Sequence, residues 1–239
     1  MSEPVPLLIV GLNYAPEEVG IGPYTQGLAK GLADRGHRVQ VIAGQPYYPQ
    51  WRRYAGFGPG WASAVENGVT ITRCPLYVPA QPSGLKRVVH LASFALSALV
   101  PAVWAARTKP RVVICVAPAL LSVPVAWIAA RLARAKLWIH IQDFEVEAAL
   151  ATGLVAEGRA ARLARWLENR LLGLADRVST ISPQMCAKLA DKGVGAGRVV
   201  ELRNWANAPA LDPSRGSSYR AEWGLGERRV ALYSGNVAN

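Results

Sequence analysis

A chain of 239 residues, 51% of them hydrophobic, holds enough apolar material for one large core and lacks the composition of a disordered or fibrous protein. Cys74, Cys115 and Cys186 stand at no metal-ligand or redox spacing; an odd, scattered set suits a reducing compartment better than a disulfide framework and reads as three buried fillers. The formal charge of +11, from 27 Lys and Arg against 16 Asp and Glu, favours phosphate, acidic lipid or nucleic acid as partner without choosing among them.

The first residues carry no basic cluster, and the apolar run behind them soon meets Asn13, Pro16, Glu17 and Glu18, so no secretory signal is expected. From there short apolar runs alternate with longer amphipathic ones, the sequence form of a parallel sheet covered by helices. Strands are predicted at 7–12, 39–43, 69–74, 111–116, 136–142, 177–181 and 198–202. Helices are predicted at 24–35, 85–106, 125–134, 159–174 and 183–192. The first helix is written clearly: Pro23 suits its first position, Tyr24, Leu28 and Leu32 share a face, and Gly36 follows as a stop. Ser182-Pro183 repeats the start signal later. The fold class predicted is a Rossmann-like, doubly wound, mostly parallel α/β sheet.

Two uncharged runs, 91–106 and 112–130, raise the question of a membrane hairpin. The second resolves into a β-branched strand, an interruption at Pro118 and a helix starting near Pro124. The first carries Ser93, Ser97 and Pro101 and falls short of about 20 apolar residues. Cations flank both runs on every side, so buried elements of an α/β core are the expectation. In the helix at 159–174, Leu163, Leu167 and Leu174 share a face that reads as core-directed. Arg159, Arg162 and Trp166 lie on its flank, where they suit either anionic headgroups or plain solvation.

Toward the end, 206–218 turns to Asn, Pro, Gly, Ser and Ala without periodicity, as a linker does. A strand at 230–233 then runs into Ser234-Gly235-Asn236. The organisation expected is a first domain over 1–205, a linker over 206–228, and the opening strand and loop of a truncated second domain over 229–239.

Three places carry candidate chemistry. The loop 13–22 joins a buried strand to a helix start, where backbone N–H groups and the helix dipole make a diphosphate site and Gly20 and Gly22 let backbone approach without a Cβ. The same glycines also fit a loop that needs them only for its turns. Two features speak against a dinucleotide cofactor: Thr25 stands where a third glycine belongs, and the second strand ends Ala43-Gly44-Gln45 with no acid for a ribose. No phosphate-binding Gly-Lys-Ser/Thr motif occurs. The strand at 136–142 turns polar only at its carboxyl end. There His140 could meet a sugar hydroxyl and Asp143 or Glu145 could orient an acceptor, or His140 could be a satisfied core residue. The segment with Tyr47, Tyr48, Trp51, Tyr54 and Trp61 offers aromatic surface for an acceptor, or packing. No metal cluster or Ser-His-Asp order is apparent.

Four blocks taken together carry a resemblance: Asn13-Tyr14-Ala15-Pro16-Glu17 with Gly20-Ile21-Gly22-Pro23-Tyr24; Pro46-Tyr47-Tyr48-Pro49-Gln50-Trp51; Arg73-Cys74-Pro75-Leu76-Tyr77-Val78-Pro79; and His140-Ile141-Gln142-Asp143-Phe144-Glu145. They resemble, in order along essentially the whole chain, the family 4 bacterial glycosyltransferases of the WcaI/WbuB type, which serve colanic acid and O-antigen synthesis. The resemblance implies the acceptor-side domain of a GT-B glycosyltransferase. It implies retaining transfer from a nucleotide-sugar donor to a lipid-linked saccharide acceptor, without a required metal or other cofactor. By position it sets Gly20 and Gly22 against the donor diphosphate, His140 beside the reacting sugar, and Gly235 with Asn236 in the second domain's phosphate loop. The family's later Lys and Arg phosphate contacts and paired glutamates fall beyond residue 239, so this chain alone is expected to be inactive. A peripheral protein on the cytoplasmic face of the bacterial inner membrane follows, with no role for nucleic acid. Helix N-termini and cations suit that chemistry, because they stabilise the charge developing on a leaving nucleoside diphosphate. A nonenzymatic binder of anionic surfaces or nucleic acid is the alternative that the charge alone supports.

Overall fold

Alternate side chains of the first strand explain the layering of the whole domain. Leu8 and Val10 join one buried apolar cluster, while Leu7 and Ile9 join another on the opposite face of the sheet. A computed structural model describes residues 3–147, 158–205 and 218–231, and the chain divides into two compact units, Met1–Asn204 and Trp205–Asn239.

In the first unit the order is β1 (Pro6–Gly11), α1 (Gly22–Asp34), β2 (Arg38–Gly44), β3 (Ala62–Glu66), β4 (Val69–Cys74), α2 (Gly84–Ala105) and β5 (Val112–Ala117). There follow α3 (Val123–Ala133), β6 (Lys136–Ile141), α4 (Arg159–Gly173), β7 (Arg177–Thr180), α5 (Pro183–Asp191) and β8 (Val199–Glu201). The strands form one sheet in the order β3-β4-β2-β1-β5-β6-β7-β8, parallel except for the antiparallel β3–β4 pair. The chain winds outward from β1 to β2 in one direction and from β5 to β6 in the other, so the switch point lies between β1 and β5. Ala29 of α1 packs on one face of the sheet with Val39, Val41, Ile71 and Val116. Residues of α2, α3, α4 and α5 pack on the other, against Ile42, Val113, Leu137, Ile139 and Val178.

The seven expected strands are present within a residue or two of their predicted ends. The eighth, β3, is an exposed edge strand joined to β4 through Asn67 (φ 51°) and Gly68 (φ 76°). Both central residues of that turn need positive φ, which Asn and Gly tolerate best.

Three expectations are corrected. Leu163, Leu167 and Leu174 do not face the core: they are 63%, 40% and 39% exposed, and α4 buries Ala161, Glu168, Leu171 and Leu172 instead. Leu171 and Leu172 supply the apolar contact on that side, and the buried Glu168 carboxylate among them is paired with Lys192 of α5 at 2.5 Å. The run at 91–106 is buried on one side only, where Phe94, Ala95, Ala98 and Ala102 enter the core. It belongs to a continuous helical segment, Gly84–Thr108, long and apolar enough by length and composition to cross a membrane, and only 28% of its apolar window is buried. Cys186 is half-buried, unlike Cys74 and Cys115, whose burial raises both thiols to about 12.

In the second unit the stretch read as linker contains a five-residue helix, α6 (Ser218–Glu222), with the rings of Tyr219 and Trp223 tilted against each other at 4.9 Å. Val230 and Ala231, expected in a strand, are in none. The rest of that strand, with Gly235 and Asn236, lies outside the described residues.

Candidate active site

Among the described residues, two polar clusters gather at the carboxyl edge of the parallel strands. The first cluster is organised by Glu17, in the loop after β1. Its carboxylate is buried and accepts the backbone N–H groups of Tyr47 and Tyr48, each at 2.9 Å, and the side-chain amide of Asn13 at 2.9 Å. Burial pushes the Glu17 carboxyl above its usual range; the three donors and the Arg73 guanidinium work against that shift. Arg73, at the end of β4, is also buried. It donates to the carbonyls of Gly44 (3.3 Å) and Ala15, and lies over the rings of Tyr14 and Phe57. Two buried side chains thus tie together the loops that follow β1, β2 and β4.

Gly20 and Gly22 sit inside this cluster. Gly20 has φ +71°, and a Cβ there would meet the Tyr48 ring at 3.1 Å. A Cβ on Gly22 would fall 3.0 Å from the carbonyl oxygen of Glu17. Each glycine has a packing reason of its own. Behind them α1 starts without a side-chain cap, and its first turn closes on the Ile21 carbonyl from Tyr24 N and Thr25 N at 3.1 and 3.0 Å. That leaves the positive end of the helix dipole directed out of the loop.

The second cluster surrounds His140, which lies in a row of register partners, Gly11, Val116, His140 and Ser179, running across four strands. Thr25 of α1 approaches the Gly11 end of that row. His140 is buried between two neighbours: Gln142 Nε2 donates to its Nε2 at 2.9 Å, so the proton sits on Nδ1 and is donated to Ser179 Oγ at 2.8 Å. Trp138 Nε1 donates to the same hydroxyl oxygen at 2.8 Å, and Asn204 Nδ2 donates to Gln142 Oε1 at 2.8 Å. Desolvation lowers the His140 pKa to about 4. The imidazole is therefore neutral at neutral pH: it suits hydrogen bonding to a hydroxyl and not the donation of a charge.

Asp143 and Glu145 follow on the same strand end but diverge. Asp143 is exposed, whereas Glu145 turns back and accepts the backbone N–H of Leu120 at 2.9 Å, holding the loop after β5. Burial raises its pKa to about 7. Phe144 between them is buried beneath the ammonium groups of Lys192 and Lys188 at 5.0 and 5.9 Å, and Lys192 also pairs with Glu147 and Glu168.

The aromatic segment separates into core and surface. Tyr47 is 4% exposed, with its ring 4.6 Å from His90, so it is a packing residue and no open platform for an acceptor. Tyr48 is half-buried under Gly20. Trp51 lies half-buried beneath the Arg87 guanidinium, and with Gln45, Arg52, Arg53, Leu76 and Val78 it lines a cavity of about 380 Å³. On α4, Arg159 and Arg162 are exposed and Trp166 is 55% exposed, with the Arg170 guanidinium 5.4 Å from its ring. Among the described residues no three His, Cys, Asp or Glu side chains gather as a metal site would require.

Sequence reasoning did not single out Arg73, Gln142, Ser179 or Asn204, and met Glu17 only within a motif. Apart from Asn13 for Glu17 and His140 for Gln142, their partners lie 29 to 62 residues away, so no local pattern announces them.

Comparison with known proteins fits this architecture. The chain is 40% identical over 238 residues to the putative colanic acid biosynthesis glycosyl transferase WcaI of Escherichia coli (strain K12), covering 97% of this chain and 58% of that protein. The chain thus spans less than two thirds of that relative's length. Solved structures share the fold at low identity. The catalytic domain of starch synthase IV from Arabidopsis thaliana, bound to ADP and acarbose, superposes with TM-score 0.60 at 16% identity, over 88% of this chain and 54% of that one. Anabaena HepE in complex with UDP-glucose superposes with TM-score 0.51 at 17% identity, over 92% and 50%. The glycosyl transferase 4-like domain family matches residues 19–205, and the chain belongs to that family.

Proposed function

We propose that the protein is a retaining glycosyltransferase that moves a sugar from a nucleotide-sugar donor to a lipid-linked saccharide acceptor in bacterial exopolysaccharide or O-antigen synthesis, without a required metal. The observation that carries this reading is the neutral, hydrogen-bonded His140 in one row of the sheet with Gly11, at the strand ends beside the uncapped start of α1. The dipole end with Gly20 and Gly22 stabilises negative charge on a departing diphosphate. His140 holds a hydroxyl of the transferred sugar, and exposed Asp143 orients the acceptor. Glu145 keeps the loop after β5 in place. The acceptor rests against Trp51 and Tyr48, with Arg52 and Arg53 beside the cavity to meet its phosphate. The protein works at the cytoplasmic face of the inner membrane, with Arg159, Arg162 and Trp166 of α4 toward anionic lipid. Gly235 and Asn236 belong to the phosphate loop of the donor-binding partner domain.

The test is a panel of nucleotide sugars assayed on the full reading frame with a lipid-linked acceptor. One donor is expected to be turned over, and His140→Ala is expected to abolish most of that turnover while a soluble fold remains. Hydrolysis of a glycoside without donor, or full activity in the variant, would overturn the reading.

A further inference from the structure

The longest helix of the chain is apolar on both sides and buries only one. On its inner side α2 packs His90, Phe94, Ala95, Ala98 and Ala102 into the core. On its outer side Leu85, Val89, Leu96, Val100 and Trp104, spaced by four or seven residues, form a continuous stripe, with Leu85 76%, Leu96 73% and Trp104 64% exposed. A soluble helix carries polar residues there. Helices apolar all round are found in the cores of large proteins or in lipid. Beside the carboxyl half of the stripe a groove of about 500 Å³, lined by Trp61, Val100, Pro101 and Trp104 among others, widens the apolar surface. In the same helical layer α3 exposes Trp127 and Leu132.

Charge identifies what meets this face. Between Glu66 and Asp143 the sequence contains no carboxylate side chain at all, although acids occur on both sides of that interval. Six of the nine cations in the interval lie at the ends of the apolar surface: Lys86 and Arg87 at its start, Arg107 and Lys109 at its finish, Arg131 and Arg134 at the end of α3. The Arg107 guanidinium is 4.2 Å from the centre of the Trp104 ring. An apolar band edged by Lys and Arg with tryptophan among them matches the profile of an anionic bilayer, acyl chains below and phosphates above. A protein partner would need carboxylates at the rim and would not need the indole–guanidinium edge.

We infer that the outer face of α2, with the exposed end of α3, is an in-plane docking surface for an anionic lipid bilayer. The helix lies along the membrane and keeps its core contacts, with Leu96, Val100 and Trp104 entering the acyl boundary. This surface is separate from the α4 residues assigned to lipid above, and it does not depend on the transfer reaction.

The experiment is sedimentation of the full chain with vesicles of phosphatidylcholine alone or mixed with phosphatidylglycerol. Binding is expected only where phosphatidylglycerol is present, and Leu96→Glu with Val100→Glu is expected to weaken it about tenfold or more, because two inserted aliphatic side chains are lost. A circular-dichroism melt establishes that each variant folds. A second readout is fluorescence quenching by brominated lipid, expected to fall in Trp104→Phe, a change that removes one indole and little volume. Equal binding of the double variant and the parent, equal binding to both vesicle types, or unchanged quenching in Trp104→Phe would overturn the inference. So would a lipid-free dimer in analytical ultracentrifugation that the double variant dissociates, because the stripe would then be a contact between copies of this chain.

Discussion

The cluster around Glu17 and the cluster around His140 occupy the same edge of the same sheet and are built from opposite materials. The first buries a carboxylate and a guanidinium and spends nearly every hydrogen bond of both on main chain. The second buries no charge: an indole, a hydroxyl, an imidazole and two amides pass hydrogen bonds along a neutral chain. A buried charge left unpaired is costly, so the first arrangement cannot change partners and serves as frame. A neutral donor or acceptor can exchange one partner for another at little cost, so the second arrangement can receive a hydroxyl from outside.

The largest effect expected is on the frame. Glu17→Ala strands two buried amide N–H groups and removes a charge facing Arg73, and a loss of about 3 kcal/mol in urea unfolding is predicted. A loss under about 1 kcal/mol would erase the distinction between the clusters, since surface-like behaviour is what such a value describes. Next comes His140→Ala, predicted to lower kcat of the complete enzyme by about 10²-fold with the melting temperature little changed. Because the His140 pKa is depressed to about 4, the rate profile should show no His140 ionisation near neutrality, and a limb near pH 6.5 that vanishes in the variant would contradict the neutral chain. Smaller still is Gly20→Ala, which forces φ +71° on a residue with a Cβ and presses it on Tyr48; about 1–2 kcal/mol of destabilisation is expected by thermal melt.

The smallest effect sharpens the boundary between the two clusters. Glu145 is a half-buried residue whose carboxyl is desolvated and whose folded pKa is raised from 4.5 to about 7, so its contribution to stability is fully present below about pH 4.5 and is lost as pH rises through about 7. Glu145→Gln is predicted to flatten that decline in a series of melts from pH 4.5 to 7.5, and an unchanged slope would place the proton elsewhere.

Much of the fold was legible because its strands are short β-branched runs whose faces are both buried, and β1, β2, β4, β5 and β6 leave little room for another reading. β3 escaped, being short and wholly exposed, although Asn67-Gly68 is a hairpin signal that would have disclosed it. The orientation of α4 is ambiguous in the sequence because leucines stand on two of its sides: Leu163, Leu167 and Leu174 share one, while the side that is buried carries Leu171 and Leu172 together with a charged residue, Glu168. In the site, His140 stood out by its place at a strand end. Glu17 and Arg73 were quoted within motifs without a role, because what they hold is main chain far along the sequence.

That grip on main chain has an evolutionary consequence. Glu17 holds Tyr47 and Tyr48 by their amides, and Arg73 holds Gly44 and Ala15 by their carbonyls, so neither anchor depends on which side chains those positions carry. Residues on the loops that border the cavity can therefore be exchanged without slackening the loops themselves. Where the cavity takes the acceptor, as proposed, a lineage built on this frame can drift from one acceptor to another while Glu17 and Arg73 stay in place.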